Sequence, residues 1–319
     1  MSTVYFLFQQ TMFFAIPLLI VALGGMFSER GGVVNIALEG IMVIGAFFGI
    51  FFINYMQAGN IMSGNALFLT ALVVAGVVGG LYSLLHAYAS INMNSNQVIS
   101  GTALNMFAPA FAIYVARMIQ GVQQVQFKNQ FRIASVPLLG DIPVIGRLFF
   151  KNTYISTYIG LLILVIATFV LYRTRFGLRL RACGEHPSAA DSVGINVYKM
   201  RYAGVIISGI LAGIGGFVFV IPTSTNFNAD VAGYGFLALA VLIFGQWKPL
   251  KILGAAFFFG IAKTIAATYA IVPFLVNLGL SDYVYKMLPY VATLVLLSFT
   301  SKKSAAPKAA GEPYDKGAR

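Results

Sequence analysis

The chain has 319 residues, 59% of them hydrophobic, 14% aromatic and only 9% charged, with a mean hydropathy of +0.85. A water-facing globule carries about 25% charged residues, and disordered chains are poor in aromatics, so both classes are excluded. The formal net charge of +12 would suggest nucleic acid in a soluble protein, but here the basic residues fall between apolar runs, the pattern that orients a membrane protein.

Apolar stretches of about 20 residues suit a helix crossing the hydrocarbon layer. Nine are legible, at 9–27, 33–54, 66–90, 98–117, 155–172, 202–221, 233–246, 252–272 and 284–300. The expected fold is therefore an all-α transmembrane bundle over residues 1–300, followed by a disordered Ala/Lys/Gly/Pro-rich tail over 301–319. The first stretch lacks a basic flank and a small-residue cleavage site and reads as a retained span. The second opens on Glu29-Arg30-Gly31-Gly32, so its start is expected to be a broken helix. A Gly/Asn-rich opening at 31–40 is echoed at 226–235.

Polar residues inside these stretches are the candidates for a solute path. Glu39 lies about six residues into the second span and shares a helical face with Asn35, four residues earlier. A carboxylate there either lines a wet path or locks two helices together. The fourth span opens Asn96-Gln97-Val98-Ile99-Ser100-Gly101-Thr102-Ala103-Leu104-Asn105. Amides such as Asn105 offer donors and acceptors that suit hydroxyl-rich or heterocyclic solutes, although interhelical bonding is the commoner role. The expected path is lined by Asn35, Glu39, Asn105 and the Asn226 to Asn228 turn. Lys263, mid-span, is expected to pair with a carboxylate or to snorkel. Cys183, the one cysteine, excludes an internal disulfide and reads as an inert loop residue. No nucleotide-binding loop, zinc motif or nucleophile–base set occurs, which argues against an enzyme.

Between spans, the 118–154 segment reads as a folded polar loop with a short amphipathic helix. The 173–201 segment is rich in arginine. Pro187 suits a first helical position and Gly194 a C-terminal stop, so a short helix is expected from Pro187 to Val193. Fourteen of the 21 basic residues fall on the side of this loop and six on the other. That places 173–201 and the C-terminus in the cytoplasm and the N-terminus outside the plasma membrane.

The stretch from Gly177 to Ala190, with Gly194-Ile195, resembles the coupling loop of ABC importer permeases of the ribose and branched-chain amino acid class. The stretches Glu29 to Gly40, Asn96 to Asn105, Gly233 to Ala240 and Phe244 to Pro249 are similar to its nucleoside-importing branch. The resemblance implies a tightly packed helical permease, a second homologous permease, an extracytoplasmic substrate-binding lipoprotein, and a separate ABC ATPase that binds the ATP, leaving this chain without a cofactor of its own. Glu185, Pro187, Ala189, Ala190, Asp191 and Gly194 would then face the ATPase. Permeases for simple sugars or branched-chain amino acids are the rival within the class. An ion-coupled secondary transporter is the rival outside it, opposed by the scarcity of buried carboxylates.

Overall fold

The computed structural model describes residues 2–300 and 305–316. Its helices are α1 (Ser2–Arg30), α2 (Leu38–Ala58), α3 (Gly64–Ile91), α4 (Gln97–Gln120), α5 (Ile155–Arg173), α6 (Arg175–Glu185), α7 (Pro187–Ser192), α8 (Val197–Thr223), α9 (Tyr234–Phe244), α10 (Pro249–Thr268), α11 (Pro273–Val276) and α12 (Asp282–Thr300). Among the described residues seven are long and apolar enough to cross a membrane: α1 to α5, α8 and α10. The seventh expected span is the 11-residue α9, and α12 covers the ninth expected stretch. The chain is thus a multi-pass helical membrane protein, in which seven helices among the described residues meet both length and apolarity for a full span.

The most enclosed helix is α1, apolar on every face and packed against α8, α10, α9 and α5. Helices α2, α3 and α8 close on one another through glycines. A side chain at Gly213 of α8 would meet Cα of Gly79 on α3 at 3.0 Å, and Gly45 of α2 rests against the same Gly213. Backbones approach this closely only without side chains, and lipid supplies no hydrophobic drive to hold helices together otherwise.

The 118–154 segment contains no α-helix beyond the end of α4. Its short strands β1 (Val125–Gln126), β2 (Arg132–Ser135) and β3 (Lys151–Tyr154) replace the expected amphipathic helix, with only single turns of tighter and wider helix between β2 and β3. β2 and β3 pair antiparallel, Arg132 opposite Tyr154, and β1 pairs with β4 (Asn226–Phe227). Pro137 and Pro143, each lacking an amide proton, disfavour a continuous helix through this stretch.

Candidate functional site

The chain leaves α1 through a glycine stop. Gly32 takes φ +95°, its N–H bonds Glu29 O at 2.9 Å, and the Val33 N–H reaches back to Ser28 O at 3.1 Å. Residues 33–37 then run without helical structure among the helices before α2 begins at Leu38, five residues later than the hydropathy suggested. Unwound backbone at such depth needs partners for each polar group. Side chains of α1, α3 and α4 provide them. Gln97 accepts from Val34 N at 2.7 Å, and Ser28 Oγ donates to Val33 O at 2.7 Å. His86 Nε2 lies 3.0 Å from Val34 O; a carbonyl only accepts, so Nε2 carries the proton and Nδ1 accepts from Ser100 Oγ. Asn105 Nδ2 donates to Ile36 O at 2.8 Å, while its Oδ1 accepts from Gly40 N at 2.7 Å. Ile36 and Gly40 are four apart, so the Asn105 amide stands in place of one turn of helical hydrogen bonding. Asn35, fully buried, donates to Ser208 Oγ of α8 at 2.9 Å.

Glu39 joins this segment to α9. Its carboxylate accepts from Gly233 N at 2.9 Å and Gly235 N at 2.5 Å, capping the positive end of the helix. Gly233, at φ +73°, supplies the turn into α9, and Gly235 lies against the Glu39 backbone where a side chain would collide. The two echoed segments of the sequence therefore touch. At its other end α9 is held by the indole of Trp247, donating to Glu29 Oε2 at 2.6 Å, and by Arg30, donating to Trp247 O at 3.1 Å. Eleven residues of helix span about 16 Å, so α9 begins near mid-membrane.

On the face carrying 173–201, Thr174 caps α6 by accepting from Gly177 N at 3.1 Å. α7 starts at Pro187 and stops at Gly194, φ +82°, with Ile195 N bonded to Ala190 O at 3.0 Å. The residues expected to face a partner divide. Ala189 is exposed, while Ala190 packs on Cys183, Val197 and Tyr314. Glu185 pairs with Arg30 at 3.7 Å and Asp191 with Lys316 at 3.8 Å, so both carboxylates are engaged within the chain. Burial, opposed by the nearby Arg201 charge, pushes the Cys183 thiol up to about 11, which keeps it protonated and inert.

Instead of a disordered tail, the described residues 305–316 form a strap across this face. Ala309 N bonds Gly184 O at 2.9 Å, Gly311 N bonds Gly32 O at 3.1 Å, and Arg201 Nη1 donates to Glu312 O at 2.9 Å. Tyr314, 7% exposed, stacks near Tyr198 and under the Arg201 guanidinium. One aromatic seated in a preformed notch outweighs the polar composition around it; residues 301–304 and 317–319 lie outside the described residues.

On the opposite face Asn226 and Asn228 are exposed. Asn226 donates to Gln124 at 2.8 Å and lines an open cavity of about 490 Å³ with Asn54, Gln57, Gln126 and Lys128. Of the expected path residues, Asn35, Glu39 and Asn105 thus cluster around the broken start of α2, and the 226–228 turn lies apart. Sequence reasoning missed His86, Ser208 and Trp247 as partners; a histidine inside an apolar run was the available signal for the first.

This chain, with its broken helix, half-length helix and short capped helix on the basic face, matches a known family over residues 7–297, described as the branched-chain amino acid transport system permease component. The chain belongs to this family. Its members are transport subunits and not enzymes. The permease is 42% identical to the guanosine ABC transporter permease protein NupQ of Bacillus subtilis, covering 97% of this chain and 96% of that one. It is 39% identical to the nucleoside ABC transporter permease protein NupC of Lactococcus lactis, over 99% and 98% of the two chains. It is 30% identical to the putative glucose ABC transporter permease protein TsgC13 of Haloferax volcanii, over 95% of each. No solved structure matches it.

Proposed function

We propose that this permease carries nucleosides into the cell as the membrane subunit of an ABC importer, with ATP bound and hydrolysed by a separate ATPase. The observation that carries this reading is the near full-length identity of 42% and 39% to permeases of guanosine and nucleoside transporters. A second homologous permease completes the pore: Lactococcus lactis has two nucleoside ABC transporter permease proteins, NupC and NupB, and this chain is 39% identical to the first and 22% to the second. An extracytoplasmic lipoprotein delivers the substrate to the face carrying Asn226 and Asn228, and the ATPase docks on α7 through Ala189 and its exposed neighbours. In this reading Asn35, Glu39 and Asn105 hold the wall of the path in shape. The N-terminus and the 118–154 loop lie outside, and 173–201 with the tail lies in the cytoplasm.

The test is uptake of labelled guanosine, adenosine, uridine and glucose by cells with and without the gene. Loss of nucleoside uptake on deletion, restored by the gene, is expected. Loss of glucose uptake alone would replace the nucleoside reading with the sugar one, which the 30% identity to TsgC13 favours.

A further inference from the structure

A cavity of about 570 Å³ lies between α1, α8, α9, α10 and α12. It falls within the range of about 300–1,000 Å³ common for small-molecule sites. Its position follows from three helices independently. Lys263 is 14 residues along α10, about 21 Å from the basic face; Tyr290 is eight residues, about 12 Å, along α12 from the opposite side; Tyr234 opens α9 at mid-membrane. The cavity therefore occupies the half of the membrane nearer the 118–154 loop.

Two groups in it lack a hydrogen-bond or ion-pair partner among the described residues. The Tyr234 ring is 1% exposed and packs tilted by 35° against Phe219 at 4.0 Å between centroids, yet its buried hydroxyl has no hydrogen-bond partner. A buried hydroxyl without a partner is a standing cost to the fold. The Lys263 ammonium lies 5.3 Å from the Tyr234 centroid and 5.5 Å from that of Tyr290, and among the described residues it makes no ion pair. Glu39, whose carboxylate caps α9, acts on this ammonium only as a nearby charge and not as a direct ion pair. An ammonium in hydrocarbon is expensive, so this one faces water or a polar solute. Phe13, Phe14 and Tyr290 complete an aromatic wall.

We propose that this cavity is a nucleoside-binding subsite within the permease, a step that rests on the nucleoside reading above. A neutral heterocycle joined to a polyhydroxylated sugar fits its chemistry. The Tyr234 hydroxyl and the Lys263 ammonium hydrogen-bond the ribose hydroxyls or a base carbonyl, and the aromatic wall takes the flat base. Below the subsite, the Tyr234–Phe219 pair and the Glu39-capped start of α9 form its floor.

The test uses the whole importer in cells lacking the chromosomal gene, complemented with Tyr234→Phe, Lys263→Met or Tyr285→Phe. Tyr234→Phe keeps the packed ring and removes only the partnerless hydroxyl. It is expected to leave membrane abundance unchanged, to hold or raise thermal stability, and to cut guanosine uptake at least fivefold. Lys263→Met is expected to cut uptake similarly. Tyr285→Phe removes a hydroxyl that donates to Leu275 O at 2.7 Å and should lower stability while uptake per molecule stays normal. Normal uptake in Tyr234→Phe overturns the subsite. If the wild type imports glucose instead of guanosine and both variants lose that uptake, the nucleoside assignment falls and a substrate subsite remains. If Lys263→Met lowers stability only in nanodiscs containing phosphatidylglycerol, with uptake intact, the cavity holds a lipid phosphate and the proposal is overturned.

Discussion

Replacing Asn105 with leucine removes the amide that bridges Ile36 O and Gly40 N while keeping the branched outline and number of heavy atoms, so no cavity is opened. Each buried backbone group left without a partner costs about 1–3 kcal/mol, or about 2–6 kcal/mol for the pair. Part is recoverable, because Ile36 O and Gly40 N stand four residues apart and can bond each other if α2 winds one residue further back. That rewinding pulls Ala37 away from Gly101, whose missing side chain lets the segment lie within 3.0 Å of where a Cβ would stand. We therefore expect a net loss of about 2–3 kcal/mol, a large share of the roughly 5–15 kcal/mol that typically separates folded from unfolded. Thermal unfolding of the purified importer in nanodiscs should fall by several degrees, and membrane abundance should fall with it. Uptake normalised to abundance should stay near the wild-type value. Normal stability and abundance with lost uptake would refute this reasoning and return Asn105 to direct contact with the solute.

Glu39→Ala should destabilise through two exposed N–H groups at the start of α9, with Glu39→Gln intermediate because it keeps one acceptor; equal melting temperatures for all three proteins would contradict the cap. Ala189→Trp should abolish uptake and substrate-stimulated ATP hydrolysis at normal abundance, whereas Ala190→Trp should first lower stability by displacing Tyr314; identical behaviour of the two would mean that α7 does not present one face outward. Cys183 should react slowly with a maleimide at pH 7 and faster as pH rises toward about 11, because its burial-raised pKa keeps the thiolate scarce below that; rapid labelling at pH 7 would show an open notch. In a Cys183→Ser background, an impermeant reagent added outside cells should label a cysteine at Gln124 and spare one at Ser192, and the reverse would invert the topology.

Much of the architecture was open to reading because hydropathy and charge act over whole segments. The helices at 64–91, 97–120, 155–173 and 197–223 overlap the expected stretches closely. The break at 33–37 was signalled by paired glycines, but its length was not, since the starting point of α2 at Leu38 depends on Gln97, His86 and Asn105 from other helices. The capped α7 was legible from Pro187 and Gly194, which act locally. Which of Ala189 and Ala190 points outward was not, because that depends on Tyr314, more than 120 residues away. Composition also misjudged 305–316, where a few specific contacts decide the outcome against a polar average. Glu39 and Asn105 were found as polar residues in apolar surroundings; their partners are backbone groups, which no sequence pattern displays.

The strap has a temporal side. α7 leaves the ribosome with Ser192, yet the residue that pairs with Asp191 is Lys316, 124 residues later. At about 5–20 residues per second this leaves roughly 6–25 s in which α7 exists without its Tyr314 seat. If the ATPase docks on this face as proposed, it would meet a half-built surface on every nascent chain. The finished surface forms only once the chain has been made as far as Lys316, so a chain cut before residue 305 would leave α7 without its Tyr314 seat.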